Sequence, residues 1–502
     1  MITNVLDYLE NAAEKYTEKI AYSDEIEALS FGETKKRAKA IGSYISGYIE
    51  KGNPVAVYME KSAAAITAFF GVAYSGAFYV PLDVDMPSNR VKLILETLEA
   101  DLLVVDQANM EKVNEIDFKG KVFLYEDIVT SNINDELLRK RRRNSIDSDP
   151  LYAIFTSGST GVPKGVVTSQ RSAVNFTEWY CNAFEFDDSE IFGNQTPFYF
   201  DASVKDIYAT LKCGATMHII PKSLFMFPVK LVEYLNEHKI NCIDWVPSAL
   251  CMIVNFKTFE KIKPQYLRKV MFLGEVMPTK QFNMWRKEFP EIKYANLYGP
   301  TEATGDCTYY KVERELADDE PIPIGYACEN SEVLILNDKN QLVQEGEIGE
   351  ICVRGVSLAL GYFNNQEKTD AVFVENPLQK HYRELIYRTG DLGRYNEYGE
   401  IIYVARKDFQ IKHMGHRIEL GEIETALNAV PLIKQVCCLY DSKRGKITAF
   451  YAGDISKEEI ISHIKHSLPK YMIPNVYHQL DTLPLNMNGK IDRVKLTEDY
   501  LK

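Results

Sequence analysis

The chain has 502 residues, too many for one compact core, so two or more domains are expected. Its 46% hydrophobic and 26% charged residues are the balance of an ordinary globular protein. A formal charge of −13 argues against a general binder of nucleic acid or of anionic membrane.

In chain order, Val5, Leu9, Ala13 and Tyr16 recur at helical spacing and mark an opening amphipathic helix. Three acids, Asp7, Glu10 and Glu14, stand where a signal peptide needs an apolar run. The strand-like "VAVYME" precedes the apolar segment Ala63 to Tyr74, and "AFYVPLD" and "DLLVVD" follow it. That apolar segment falls short of the roughly 20 residues a membrane span takes, so it reads as a buried helix and no membrane insertion is expected. The alternation implies parallel sheets covered by helices. The basic run Arg139 to Arg143 reads as a solvated loop.

From Pro321 to Val404 the pattern changes to short strands and glycine turns, the sign of an antiparallel or barrel-like portion. Beyond Lys407, helical Glu419–Val430, strand-like "QVCCLY" and helical Lys457–Leu468 suggest a small α+β unit. The expected fold is therefore α/β and multidomain. A large N-terminal domain, 1–407, holds helix-covered sheets and a barrel-like β portion, and a small α+β domain occupies 408–502. Nine cysteines show no metal-ligand spacing and no disulfide framework, so reduced thiols in a cytoplasm are expected.

Phe155 to Val167, "FTSGSTGVPKGVV", is the strongest local chemical signal. A strand runs into Thr156, Ser157, Gly158, Ser159 and Thr160, with Lys164 close behind. Glycines let backbone N–H groups converge on an anion and hydroxyls add donors, which makes a phosphate cradle. It is not a Walker A loop, because Pro163 precedes the lysine and Gly165 follows it.

With four further segments in order, the chain resembles the adenylate-forming superfamily over nearly its whole length. "NLYGPTEAT" (Asn296–Thr304), "YRTGDLGRY" (Tyr387–Tyr395), "ARKDFQIKHMGHRIELGEIE" (Ala405–Glu424) and "NGKID" (Asn488–Asp492) carry the likeness. The resemblance implies that ATP is a substrate, with its triphosphate in the first loop and Gly299 and Thr301 in the adenine segment. Tyr298 would stack on the base, Asn296 would bond its amino edge, and Glu302 would hold Mg2+. Asp391 would take the ribose hydroxyls with Arg406 nearby. Asp408 would be the hinge of a mobile C-terminal domain that carries the catalytic Lys490. Ala405 stands where the family has glycine, and His416 where it has an aromatic side chain.

The stretch "FYFDASVKD" (Phe198–Asp206) asks what Asp201 faces. One answer is local: an N-cap, followed by Val204, Ile207, Tyr208 and Leu211 at helical spacing. The resemblance gives another, since the amino-acid-activating branch has an Asp here that pairs with the substrate's α-ammonium. The same alignment puts Ala202, Lys205, Asp244, Met271, Leu273, Leu297, Gly305 and Asp306 around the substrate side chain. Lys205 between two acids suggests glutamate or another polar amino acid. The alternative is that Lys205 pairs internally, the substrate is small, and the chain is like a D-alanine–carrier-protein ligase.

The expected partner is a phosphopantetheinylated carrier protein in trans, because no carrier segment follows Lys490. Two rivals are an acyl-CoA ligase, which would tolerate loss of Asp201, and a catalytically dead nucleotide-binding scaffold. Intact Lys164, Glu302, Asp391 and Lys490 stand against the scaffold.

Overall fold

The computed structural model describes residues 2–158, 162–407, 410–485 and 491–501. Among these residues the backbone forms three large sheets, followed by a hairpin and a smaller sheet.

In the seven-stranded sheet, Pro54–Tyr58 lies between Phe78–Leu82 and Leu102–Val105, all parallel. The crossover between the first two is helix Ala63–Ser75, the apolar segment anticipated as buried. Ser62 caps its start by accepting from the Ala65 N–H, and Gly76 ends it at φ +82°, a conformation glycine adopts without steric cost. Pro150–Thr156 adds in parallel to Phe78–Leu82 and pairs antiparallel with Lys164–Ser169.

The nine-stranded sheet has a parallel centre of Lys293–Tyr298, Lys269–Phe272, Cys242–Trp245, Ile191–Asn194, Thr216–Ile219 and Ile20–Ser23 in spatial order. Helices Gln170–Ala183 and Ser203–Cys213 share one buried apolar cluster with strands of both parallel sheets. The antiparallel portion foreseen after Pro321 is a five-stranded sheet around Leu385–Tyr395.

After residue 409 the hairpin Gln410–His413/His416–Glu419 leads into helix Leu420–Asn428 and a sheet of Ile433–Asp441, Lys446–Gly453 and Val476–Gln479. Ile418, Ile423, Leu427, Cys438, Ile447 and Ile460 give this unit its own core.

One local expectation fails. The basic run is not a loop but the last half of helix Asp135–Arg143. Asn134 caps its start, two acids occupy the first turn and four bases the last, and Leu138 anchors it in the core. Each end complements the helix dipole, which a count of charges along the sequence does not reveal.

Candidate active site

A cavity of ≈ 810 Å3 opens where the parallel strands of both sheets end. Its wall includes Gln195, Val246, Leu273 and Gly299, each immediately after a strand of the nine-stranded sheet, and Met59, Asp83 and Ser157 from the other sheet. Open α/β sheets bind ligands at this edge.

Glu302 is the electrostatic centre. It is fully buried, and each carboxylate oxygen is engaged: Arg417 Nη1 lies 2.6 Å from Oε2, while Oε1 accepts from Tyr362 Oη at 2.6 Å and from Lys164 Nζ at 3.3 Å. Burial pushes this carboxyl up, but the Arg417 and Lys164 charges outweigh it and hold the group well below the usual carboxylate range. Lys164 is brought there by register, opposite Thr156 in the hairpin. Thr156 Oγ1 is buried without a hydrogen-bond partner among the described residues. Ser157 Oγ donates to the Arg417 carbonyl at 2.8 Å and accepts from the Glu419 N–H at 3.2 Å. Gly158 packs so closely on the Val162 carbonyl, 2.1 Å from where a Cβ would stand, that a side chain does not fit. Ser159 and Thr160 lie outside the described residues.

Asn296, Leu297 and Tyr298 end strand Lys293–Tyr298. Asn296 Nδ2 donates to the Pro323 carbonyl at 2.8 Å. Tyr298 Oη donates to Asp391 Oδ2 at 2.5 Å, and Arg406 Nη1 donates to Asp391 Oδ1 at 2.9 Å. Asp391 and Arg406 are direct cross-strand partners. Neither Asn296 nor Tyr298 lines the cavity in this arrangement, and Lys412 Nζ stands 5.2 Å from the Tyr298 ring centroid. Thr301, Gly299, Asp391 and Arg406 do line it.

Asp201 faces the cavity. The N-cap alternative is not realised, because helix Ser203–Cys213 is capped by Ala202 without a side-chain bond. Asp201 Oδ1 accepts from the Ala202 N–H at 2.8 Å, and no basic side chain forms an ion pair with it among the described residues. Burial raises its carboxyl, offset in part by Thr301 and Lys205.

The side-chain pocket differs from expectation. Ala202, Leu273 and Gly305 reach the cavity wall; Lys205, Asp244, Met271, Leu297 and Asp306 do not. Lys205, 2% exposed, is held internally with Nζ 2.6 Å from Asp244 Oδ2 and 3.2 Å from Asp306 Oδ2. Tyr180 Oη donates to Asp244 Oδ2 at 3.0 Å. The physical reason is that a buried ammonium is tolerated only when paired, and two adjacent acids pair it without a ligand. Met271 and Leu297 belong to the apolar core beside them. Lys205, the cation on which the glutamate reading rested, is therefore not part of the described cavity wall.

Two participants had no assigned role in the sequence. Lys412 and Arg417 are direct partners across the C-terminal hairpin, so they share a face, while the Ile411–Ile418 pair beside them packs on the C-terminal core. The turn is Met414–Gly415, both at positive φ, a sharp reversal that projects this face into the cavity. The Gly415 N–H donates to Glu275 Oε1 at 2.9 Å. The alternation of charged and apolar residues around "HMGH" is the signal that could have found them. Asp408 and Lys490 lie outside the described residues, and no described residue beyond Tyr471 lines the cavity.

Fold and cleft together define an adenylation-domain enzyme. AlmE of Vibrio cholerae, solved in complex with glycyl-adenosine-5'-phosphate, aligns with a TM-score of 0.86 at 22% identity, over 99% of this chain and 98% of that one. The chain belongs to the AMP-binding enzyme family: residues 9–363 match that family and residues 422–490 match the AMP-binding enzyme C-terminal domain. It is 32% identical to the D-alanine–D-alanyl carrier protein ligase of Listeria monocytogenes over the full length of both. It is 30% identical to tyrocidine synthase 1 of Brevibacillus parabrevis over 98% of its own length, but spans only 44% of that protein. The chain is an acid–thiol ligase of this family.

Proposed function

We propose that the enzyme joins the carboxylate of a small amino acid to the AMP moiety of ATP, releasing pyrophosphate, and passes the aminoacyl group to the phosphopantetheine thiol of a separate carrier protein. The observation that carries this reading is Asp201, a carboxylate in the cavity wall with no cation paired to it among the described residues. An incoming α-ammonium completes it, and a fatty or aryl acid would not. D-alanine comes first as substrate. Lys205 is closed on Asp244 and Asp306, Leu273 narrows the wall, and the Listeria relative is named for D-alanine.

Two anions must meet, the substrate carboxylate and the α-phosphate, so the protein's task is alignment and offset of charge. We assign Thr156 to Lys164 to the triphosphate and Asp391 with Arg406 to the ribose. Magnesium takes one or two carboxylates plus substrate phosphates, a donor set that Glu302 and the nucleotide fit, and when bound it would supply positive charge to the phosphates. In the described arrangement Arg417 covers the Glu302 oxygen that such a cation would need, which suits the thiol-accepting half of the cycle. Lys490, turned in about a hinge at Asp408, is assigned to the adenylating half. Nine free thiols suit a reducing compartment, and no helix among the described residues is long and apolar enough to cross a membrane. A cytoplasmic location is part of the proposal.

ATP–pyrophosphate exchange over a panel of L- and D-amino acids tests it. D-alanine or a neighbour of its size is expected to drive exchange, with glutamate inert, and Lys490→Ala should abolish exchange while sparing thiolation begun from preformed adenylate. Exchange driven by fatty acids alone would sink the amino-acid reading.

A further inference from the structure

Gly361–Tyr362 pairs antiparallel with Val166 and Val167 on the strand that begins at Lys164, and the Phe363 N–H donates to the Gly165 carbonyl at 2.8 Å. The chain then enters helix Gln366–Val372, whose start Asn365 caps by accepting from the Lys368 N–H at 3.1 Å. Thr369 ties helix to strand: its Oγ1 accepts from the Tyr362 N–H at 3.0 Å and donates to the Asn365 carbonyl at 2.8 Å. This short segment places two side chains at the phosphate cradle. Tyr362 reaches Glu302 and Lys164, while Lys368 Nζ stands 3.8 Å from the point that a Cβ on Gly158 would occupy. Lys164 and Lys368 also line one cavity of ≈ 400 Å3, with Val162, Pro163 and Glu367 in the same wall.

The cations around the cradle are not equivalent. Lys164 Nζ is 3.3 Å from Glu302 Oε1 and Arg417 Nη1 is 2.6 Å from Oε2, so both share their charge with a buried carboxylate. Lys368 instead brings its ammonium to the backbone of the loop, where oxygens held by the cradle's N–H groups would lie. Its ammonium is a compact charge with three rotatable donors, which suits a phosphate end that has no single fixed orientation. Glu367 does not cancel it, because successive helix residues point about 100° apart and Glu367 is exposed. When a carboxylate displaces the α-phosphorus, the two distal phosphates depart together with their negative charge. Cationic donors at that end stabilise the departing group.

Resting on the adenylation reading above, we propose that Lys368 is a further binding residue for the condensed-phosphate end of the nucleotide, holding the β,γ portion as it leaves and as it returns as pyrophosphate. Lys368 takes no part in bond making.

The test is the Michaelis constant for pyrophosphate in ATP–pyrophosphate exchange, measured beside that for the amino acid that drives exchange in the panel. Lys368→Met should raise the pyrophosphate KM about tenfold, the lower end of what a hydrogen bond to a charged group is worth. The amino-acid KM, set at Asp201, should move less than about twofold. Lys368→Gln, a second uncharged variant, should repeat the rise, and Lys368→Arg should recover most of the loss because it keeps the charge. An unshifted pyrophosphate KM in both uncharged variants overturns the proposal. So does an amino-acid KM that rises in step, or a loss as large in Lys368→Arg, since either makes the side chain a support of the fold. Missing exchange in the unmodified enzyme overturns the adenylation reading and this proposal with it, whereas normal exchange with an unshifted pyrophosphate KM overturns this proposal alone.

Discussion

Arg417 Nη1 lies 2.6 Å from Glu302 Oε2, tying the C-terminal hairpin to a carboxylate buried at the centre of the N-terminal portion. Lys164 and Tyr362 hold the other oxygen, so a docked hairpin and a cation on Oε2 exclude one another. Removing one partner of a buried ion pair costs about 3–5 kcal/mol because the other charge is left uncompensated. Arg417→Ala should therefore slow thioester formation from preformed adenylate far more than it slows exchange, by about 10- to 70-fold if only half that energy is spent on docking. Stopped-flow assays of the two half-reactions measure this. Equal losses in both would mean that the pair serves only to hold the fold.

Arg90 tests the same docking at a distance from the chemistry. It forms a buried ion pair with Glu422 on the first turn of helix Leu420–Asn428. Asn89 Nδ2 adds a bond to the His466 carbonyl at 3.4 Å. Arg90→Ala leaves Glu422 buried and unpaired when docked but solvated when undocked, so it should shift the population away from the docked arrangement. Limited proteolysis near residue 408 should become several-fold faster, with little change in the cleavage rate elsewhere. Unchanged cleavage there would argue that this contact does not govern docking.

Lys205 offers a stability prediction with a pH sign. Burial, with the charge of Asp244, pushes the Asp306 carboxyl up to about 6 although Lys205 pulls it down. A carboxyl raised above its unfolded value of about 3.9 contributes stability that is fully present below that value and is lost as pH rises through the folded value. Lys205→Met removes the cation that lowers it, so Asp306 should titrate higher and the penalty should widen with pH. The variant should be destabilised by about 3–5 kcal/mol near neutrality and measurably less near pH 5. Denaturant melts at both values decide it, and a penalty independent of pH would refute the charge assignment. The variant Lys205→Met/Asp244→Asn/Asp306→Asn should recover most of the loss.

The contrast between Lys205 and Lys164 marks what was legible beforehand. The loop chemistry around Lys164 and the acid at Asp201 are carried by short contiguous segments, and the alternation of strand and helix follows from local apolar periodicity. Whether Lys205 meets a ligand or a neighbour depends on Asp244 and Asp306, which come from different strand ends, and on a difference of a few ångströms in side-chain reach. Arg417 shows the same limit. Its partner Glu302 is 115 residues away, and only docking of the hairpin unites them. The helix at Asp135–Arg143 was obscured by its charge, since dipole complementarity depends on which end the bases occupy.

Asp201 gives the sharpest test of substrate class. Its carboxyl is raised by burial, with Glu302 adding repulsion, and an α-ammonium beside it would draw it back down. Amino-acid binding should therefore release a proton from Asp201 over the pH range where the free enzyme still holds one. The KM for the amino acid should rise toward acid pH, with its midpoint above that of an ordinary aspartate, while the KM for ATP stays flat there. Asp201→Asn keeps the shape but loses the charge. A charge-assisted bond is worth about 1.5–3 kcal/mol, so the amino-acid KM should rise about 10- to 150-fold and lose its acid limb. Exchange kinetics from pH 5 to 8 in both proteins measure the two effects. An acid limb that persists in Asp201→Asn assigns the titration to another group and separates Asp201 from recognition of the amine.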